Sequence, residues 1–308
     1  MSASLETETP LLKGIANSTQ RSGQLSRIAR LLFKSKTGTI GLIIVIAVVI
    51  MAIFAGAIAP HDPAKAQAVK RLKPPMWMEG GSPDNPLGTD NLGRDVLSRI
   101  IYGSQVSLLV GICAVILAGL IGVILGLLSG YYGGLVDSTI MRTVDAFLAI
   151  PNILFMLVIL AVLGPSLITL ILVLGFTNWV KYARIIRSEV LSVKERDFVK
   201  AARTVGASDR RIIITHILPN VISSFIVVST LSVATTIIAE ASLSFLGLGI
   251  QPPTVSWGGM LSDGRQYLAT SWWVATFPGI AITITVLGIM FLGDWLRDVL
   301  DPRMKARK

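Results

Sequence analysis

Two histidines, one cysteine and eighteen carboxylates are the groups in this 308-residue chain with acid–base, nucleophilic or metal chemistry to offer. Their spacing assembles none of it. His61 and His216 stand far apart, H-E-x-x-H is absent, and no Cys/His cluster has the spacing of a metal site. Cys113 sits inside an apolar block and has no second cysteine to pair with. A phosphate-cradling G-x-x-x-x-G-K-[ST] loop is missing, and the chain contains no Gly-Lys dipeptide, so any ATP hydrolysis belongs to other chains. No catalytic residue and no metal ligand is assigned, and no cofactor is expected on this chain. An intramembrane enzyme would need paired acids or a Ser–Lys pair at bilayer depth, and only scattered charges are present. What remains is Glu240, in the apolar run IIAEASLSF, the pair Arg142 and Asp145 three residues apart, and a basic stretch from Lys181 to Arg211.

Those residues must be positioned by a membrane. Apolar residues make up 52% of the chain and charged ones 15%, with mean hydropathy +0.69, more apolar surface than a soluble globule can hide. Gly38 to Ala59 carries no charge over roughly 22 positions, about 33 Å as a helix and enough to cross a bilayer. Further blocks run from Ser107 to Gly130, Ala146 to Leu163, Ser166 to Val180, Val221 to Leu248 and Trp273 to Trp295. Their continuous apolar character predicts helices and excludes the alternation of barrel strands. The expected fold is therefore an all-α polytopic membrane protein with about six transmembrane helices. Most of the 28 Lys and Arg residues fall in segments on one side, which predicts both termini in the cytoplasm. The net charge of +10 is then inner-leaflet anchoring against membrane lipid, and nucleic acid is excluded as a partner. Ala57 and Ala59 resemble a cleavage site, but the run before them is too long for a signal peptide and is read as an uncleaved first helix.

The chain divides into a tail over 1–36, a first span over 37–60, an extracytoplasmic loop over 61–102, a helical membrane domain over 103–298 containing a cytoplasmic loop over 189–220, and a tail over 299–308. Leu25 to Phe33 has the pattern of a short helix lying on the membrane face, or of a solvated basic flank. The loop after Pro60 reads as irregular, with nearly cancelling charges, and Trp257, Trp272 and Trp273 fit an interfacial aromatic belt. Ala114, Ala118, Gly122, Gly126 and Gly130 recur every fourth residue and form a ridge without bulk, suited to close helix packing or to a path lined by backbone. Pro151 is expected to bend the third helix, with Arg142 and Asp145 as an ion pair near its inner end.

An acid at mid-bilayer costs on the order of 3 kcal/mol. Glu240 is read either as a pathway or gate residue or as a hydrogen-bond partner of a neighbouring helix. In the basic stretch, Phe198, Ala201, Ala202 and Val205 follow helical spacing opposite Lys194, Arg196, Lys200 and Arg203. Gly206 ends this helix and Ser208 or Asp209 caps the next, which enters the bilayer through Ile212 to Leu218. Such a helix–turn–helix either rests on the membrane or receives a partner.

The same stretch resembles the cytoplasmic loop of membrane subunits of binding-protein-dependent ABC importers, E-A-A, three residues, G, nine residues, I-x-L-P. Ala201, Ala202, Gly206, Leu218 and Pro219 match, with the spacing kept, while Lys200 replaces the Glu and His216 the Ile. NPLGTDNLGRDVLSRIIYGSQVSLLVG, ASLSFLGLGIQPPTVSWGGML and GDWLRDVLDP resemble the second-type subunit of the dipeptide, oligopeptide and nickel branch. The resemblance implies a type I importer transmembrane domain in a bacterial inner membrane, half of a pathway for short peptides. Its implied partners are a sister permease subunit, two ATPase subunits that bind ATP and Mg, and an extracytoplasmic binding protein. It implies that Ala201, Ala202 and Gly206 make the coupling contact to an ATPase, with Lys200 and Arg203 beside them. Nickel or glutathione import on the same scaffold is the nearest alternative; a stand-alone channel or secondary transporter would have no need of the loop.

Overall fold

In the computed structural model the described residues are 30–300. Most of the helix expected over Leu25 to Phe33, and the tail after Leu300, lie outside them. Eight further helices carry the architecture around a first one, α1 (Lys36–Ile53): α2 (Val96–Tyr132), α3 (Gly134–Leu148), α4 (Asn152–Leu163), α5 (Leu167–Lys194), α6 (Asp197–Thr204), α7 (Asp209–Leu248), α8 (Trp257–Gly264) and α9 (Trp273–Leu300). Five of these are long and apolar enough to span a membrane, and α3 with α4, bent by 84°, makes a sixth.

The order of close approaches fixes direction. A Cβ on Gly122 would meet the Trp179 carbonyl at 2.6 Å, one on Gly126 the Ala183 carbonyl at 2.8 Å, and one on Gly130 the Val190 side chain at 2.7 Å. Both numberings rise together, so α2 and α5 run parallel, and α3–α4 must cross back between them. Gly111 lies against Ile237 and Gly119 against Phe225, so α7 is antiparallel to α2. Gly38 meets Trp295 and Gly41 meets Leu292, which makes α1 and α9 antiparallel and puts both ends of the described chain on one face. The small-residue ridge is thus the seam between α2 and α5, with Ala114 and Ala118 in the buried clusters that continue it.

Several boundaries differ from those expected. The second span begins at Val96, because Asp95 is a working N-cap whose side chain accepts from the Ser98 N–H. The loop after Pro60 therefore ends before residue 102. α5 continues past Val180 to Lys194, since its later turns bury Tyr182, Ala183, Ile186, Val190 and Val193 against the protein. α7 starts at Asp209, where the helix after Gly206 was expected to begin, and continues without a break into the apolar block from Val221. The third span is two helices, broken at Ala149–Pro151, where the proline removes a donor. Asp145 pairs with Arg184 of α5 at 2.8 Å, not with Arg142; both groups are more than half exposed, so the pair adds little stability.

The loop after Pro60 is better built than its composition suggested. Asp90, 1% exposed, accepts from Arg94 Nε at 2.6 Å, from Arg99 Nη1 and from the N–H groups of Leu92 and Arg94. Asp263 of α8 joins both guanidiniums at 3.3 and 3.4 Å. Trp257 and Trp273 are buried pegs, not belt residues: their indole N–H groups donate to the carbonyls of Ile100 and Thr89.

Candidate functional site

The loop between α5 and α7 lies on the face that carries both ends of the described residues, seated on the ends of α2, α5 and α7 that reach this face. Val199 is 1% exposed and enters a cluster with Tyr131, Ile186, Val190, Val193, Ile212 and Ile217, with Ala202 and Leu218 packed at its edge. This one buried side chain and its neighbour Ala202 fix α6 to the membrane domain. The opposite face is bare. Phe198 is 41% and Val205 88% exposed, and Ala201 and Lys200 are exposed beside them. The helical spacing found Phe198, Ala201, Ala202 and Val205 but missed Val199, the residue that holds the helix down; the three outward residues of that set form an unpartnered apolar surface.

The turn is a glycine-dependent cap. Gly206 has φ +83°, its N–H bonds the Arg203 carbonyl at 3.0 Å, and the Ala207 N–H bonds the Ala202 carbonyl at 3.0 Å. This is the Schellman arrangement, which needs a left-handed residue at that place. Ser208 occupies the next N-cap position without a side-chain cap bond, and Asp209 instead accepts from the Tyr131 hydroxyl at the end of α2. α7 then widens into a π segment over Ile212–Ile217 before Leu218 and Pro219. Pro219 has no N–H to offer the preceding turn, and the Asn220 side chain donates to the His216 carbonyl at 2.7 Å.

The cations of the loop divide into two groups. Lys194 donates to the Gly130 carbonyl at 3.0 Å, at the negative end of α2, and the Arg203 guanidinium lies 5.8 Å from the centre of the Tyr131 ring. Lys200 pairs with Glu195 at 3.2 Å, both well exposed. Arg196, Arg210 and Arg211 are exposed, and among the described residues none of the three makes an ion pair. Beneath the platform Asp137 of α3 takes both Arg187 Nε and Nη2, the latter at 2.6 Å, a half-buried fork that spacing alone gave no means of finding.

Glu240 lies at the far end of α7, enclosed and 0% exposed. One carboxyl oxygen accepts from Ser244 Oγ at 2.8 Å, and the other has no hydrogen-bond partner. Its side chain is packed inside this chain. Glu240→Gln preserves the shape and the Ser244 bond and is expected to leave stability nearly unchanged. Glu240→Ala opens a cavity and strands Ser244, at a cost of about 2 to 4 kcal/mol. Denaturant unfolding of the purified chain in detergent reads the difference; equal losses would remove the packing role.

Five long apolar helices and the bent pair α3–α4, with an exposed apolar helix held on one face by a single buried residue, make the described residues a polytopic membrane domain. Residues 122–306 match the family described as "Binding-protein-dependent transport system inner membrane component", and residues 23–75 match the "N-terminal TM domain of oligopeptide transport permease C". The chain belongs to the first of these families and is a multi-pass protein of the bacterial inner membrane. It is 48% identical over 272 residues to the dipeptide transport system permease protein of Escherichia coli, covering 88% of this chain and 91% of the relative. The di/tripeptide transport system permease protein of Pseudomonas aeruginosa is 42% identical over 265 residues, 86% and 88% of the two chains. In fold it is similar to a chain of the inward-facing MetNI methionine ABC transporter, with TM-score 0.54 at 19% identity over 66% of this chain and 96% of that one.

Proposed function

We propose that this chain is the permease subunit that forms half of the translocation pathway of an ATP-driven importer for short peptides. The observation that carries the reading is the bare face of α6: an apolar helix seated by Val199 and Ala202 leaves Phe198, Ala201 and Val205 facing outward on the basic side of the membrane domain. That face suits a cleft on an ATPase subunit, with Arg196, Arg210 and Arg211 as a rim for acidic groups. Ala201, Ala202, Gly206, Leu218, Pro219, Lys200 and Arg203 then form the coupling loop, and closure of two ATPase subunits on ATP and Mg moves α7 through it. Both chain ends are cytoplasmic. A sister permease supplies the other half of the pathway, and an extracytoplasmic binding protein delivers the peptide, the substrate class of the relatives above. Glu240 serves the outer gate from behind, as a positioning residue.

Purification of the tagged chain from its native membrane, with mass spectrometry of its partners, tests this. A second permease and P-loop ATPases are expected, with peptide on the associated binding protein. Phe198→Asp with Val205→Asp should retain the permease and lose the ATPases. Nickel or glutathione on the binding protein would replace the substrate, and absence of any ATPase where a control complex survives would remove the assignment.

A further inference from the structure

Lys181 stands in the membrane without a counter-ion. It lies fifteen residues after the N-cap Ser166 of α5, about 22 Å along a helix and so within a hydrocarbon layer about 30 Å thick. Among the described residues no carboxylate lies within 4.0 Å of its ammonium. Its one polar neighbour is Ser232 Oγ of α7, at 3.5 Å, and its side chain is exposed on the surface of this chain. Asn178, Arg184 and Ser188 share that helix face, a polar stripe that lipid tails would not tolerate. A charge at this depth faces a bundle interior or a water-filled cavity.

Ser229 and Ser232 are the hydroxyls beside the Tyr182 phenol, which is enclosed among Val115, Ala118 and Phe225, so of this group only Ser232 Oγ reaches the Lys181 ammonium. An unpaired ammonium and one hydroxyl therefore meet where α5 and α7 come together, two donors that suit an anion with oxygen acceptors. Of the acids in this membrane domain, Asp145 is held by Arg184 of the same stripe at 2.8 Å and Glu240 is enclosed.

We infer that Lys181, with the hydroxyl of Ser232 beside it, forms a half-site for the carboxylate of the peptide as it crosses, an assignment that rests on the peptide-import reading above. The ammonium end of a peptide is repelled from this point, so the site orients its passage. Lys181 touches substrate; Ser232 Oγ orients its ammonium.

The test uses the complete complex, with its ATPases and binding protein, in proteoliposomes, in a Cys113→Ala background that removes the chain's single cysteine. Lys181→Cys is expected to lower peptide uptake about tenfold or more, as loss of one charge-assisted hydrogen bond implies, while ATPase stimulation by loaded binding protein stays within about twofold. Aminoethyl methanethiosulfonate, which restores an ammonium, should recover uptake; methyl methanethiosulfonate, which adds no charge, should not. Saturating peptide should slow the labelling. Unchanged uptake, equal recovery by both reagents, or failure of the variant to assemble would overturn the half-site, the last marking Lys181 as a subunit contact. A Lys181 parent complex that imports no peptide would instead fail the import reading, which separates the two.

Discussion

Asp90→Ala is expected to destabilise the chain by about 3 to 5 kcal/mol, the cost of stranding buried charge when one member of a pair is removed. The carboxylate is 1% exposed at the side chain, and the two guanidiniums that it holds, on Arg94 and Arg99, are 11% and 6% exposed. Without it they face each other with only Asp263, 41% exposed, to share at 3.3 and 3.4 Å. Two backbone N–H groups, of Leu92 and Arg94, lose their acceptor as well. Asp263→Asn removes the outer, wetter carboxylate and should cost about 1 kcal/mol or less. Thermal unfolding of both variants in the same detergent compares them. A loss for Asp90→Ala no larger than that for Asp263→Asn would show that the inner carboxylate does not organise this corner.

Gly206→Val should abolish most transport while Gly206→Asn keeps much of it. A Cβ at this position meets nothing within 4 Å, so the substitution is not a clash. The penalty is conformational: φ is +83°, and a residue with a Cβ loses about 1 to 2 kcal/mol in the left-handed region, more when β-branched, whereas Asn visits it readily. The chain escapes the strain by rotating out of that region, which breaks the bonds from Gly206 to Arg203 and from Ala207 to Ala202 and swings α6 off the seat that Val199 occupies. Substrate-stimulated ATP hydrolysis in the reconstituted complex should then fall about tenfold, with the membrane domain still folded. Equal activity in the Val variant would mean that the angle between α6 and α7 carries no coupling.

The helical blocks were legible because their signal is mean apolarity over a bilayer's length, and the seam between α2 and α5 because Ala114 to Gly130 is a local repeat. The helix–turn–helix was legible for the same reason, down to Gly206. What escaped depended on partners distant in sequence. Asp90 and Asp263 look like two ordinary loop acids until the fold brings α8 beside the start of α2. Val199 was passed over because an eight-residue helix has two faces that both contain apolar residues, and which of them is buried is decided by Tyr131, Ile186 and Ile217, none of them local. Lys181 was taken as the start of a hydrophilic loop, since the burial that carries α5 a further dozen residues comes from α2 and α7. The Trp257 and Trp273 indoles read as interfacial for a parallel reason: composition cannot show that a carbonyl waits for each of them.

α2 has 37 residues, about 55 Å at the usual rise, far more than the bilayer requires. Arg99 in its first turn belongs to the ion cluster under α8, and Gly130 and Tyr131 at its other end hold Lys194 and Asp209 of the loop. One unbroken rod thus has a bearing on each side of the membrane. A tilt of about 10° about its middle would carry the two ends about 5 Å in opposite directions. The glycine seam lets α5 travel with it as a second beam. With equal arms of this kind, a small displacement at the end that carries the loop would arrive at the other end at full size, with no relay of side-chain rearrangements in between.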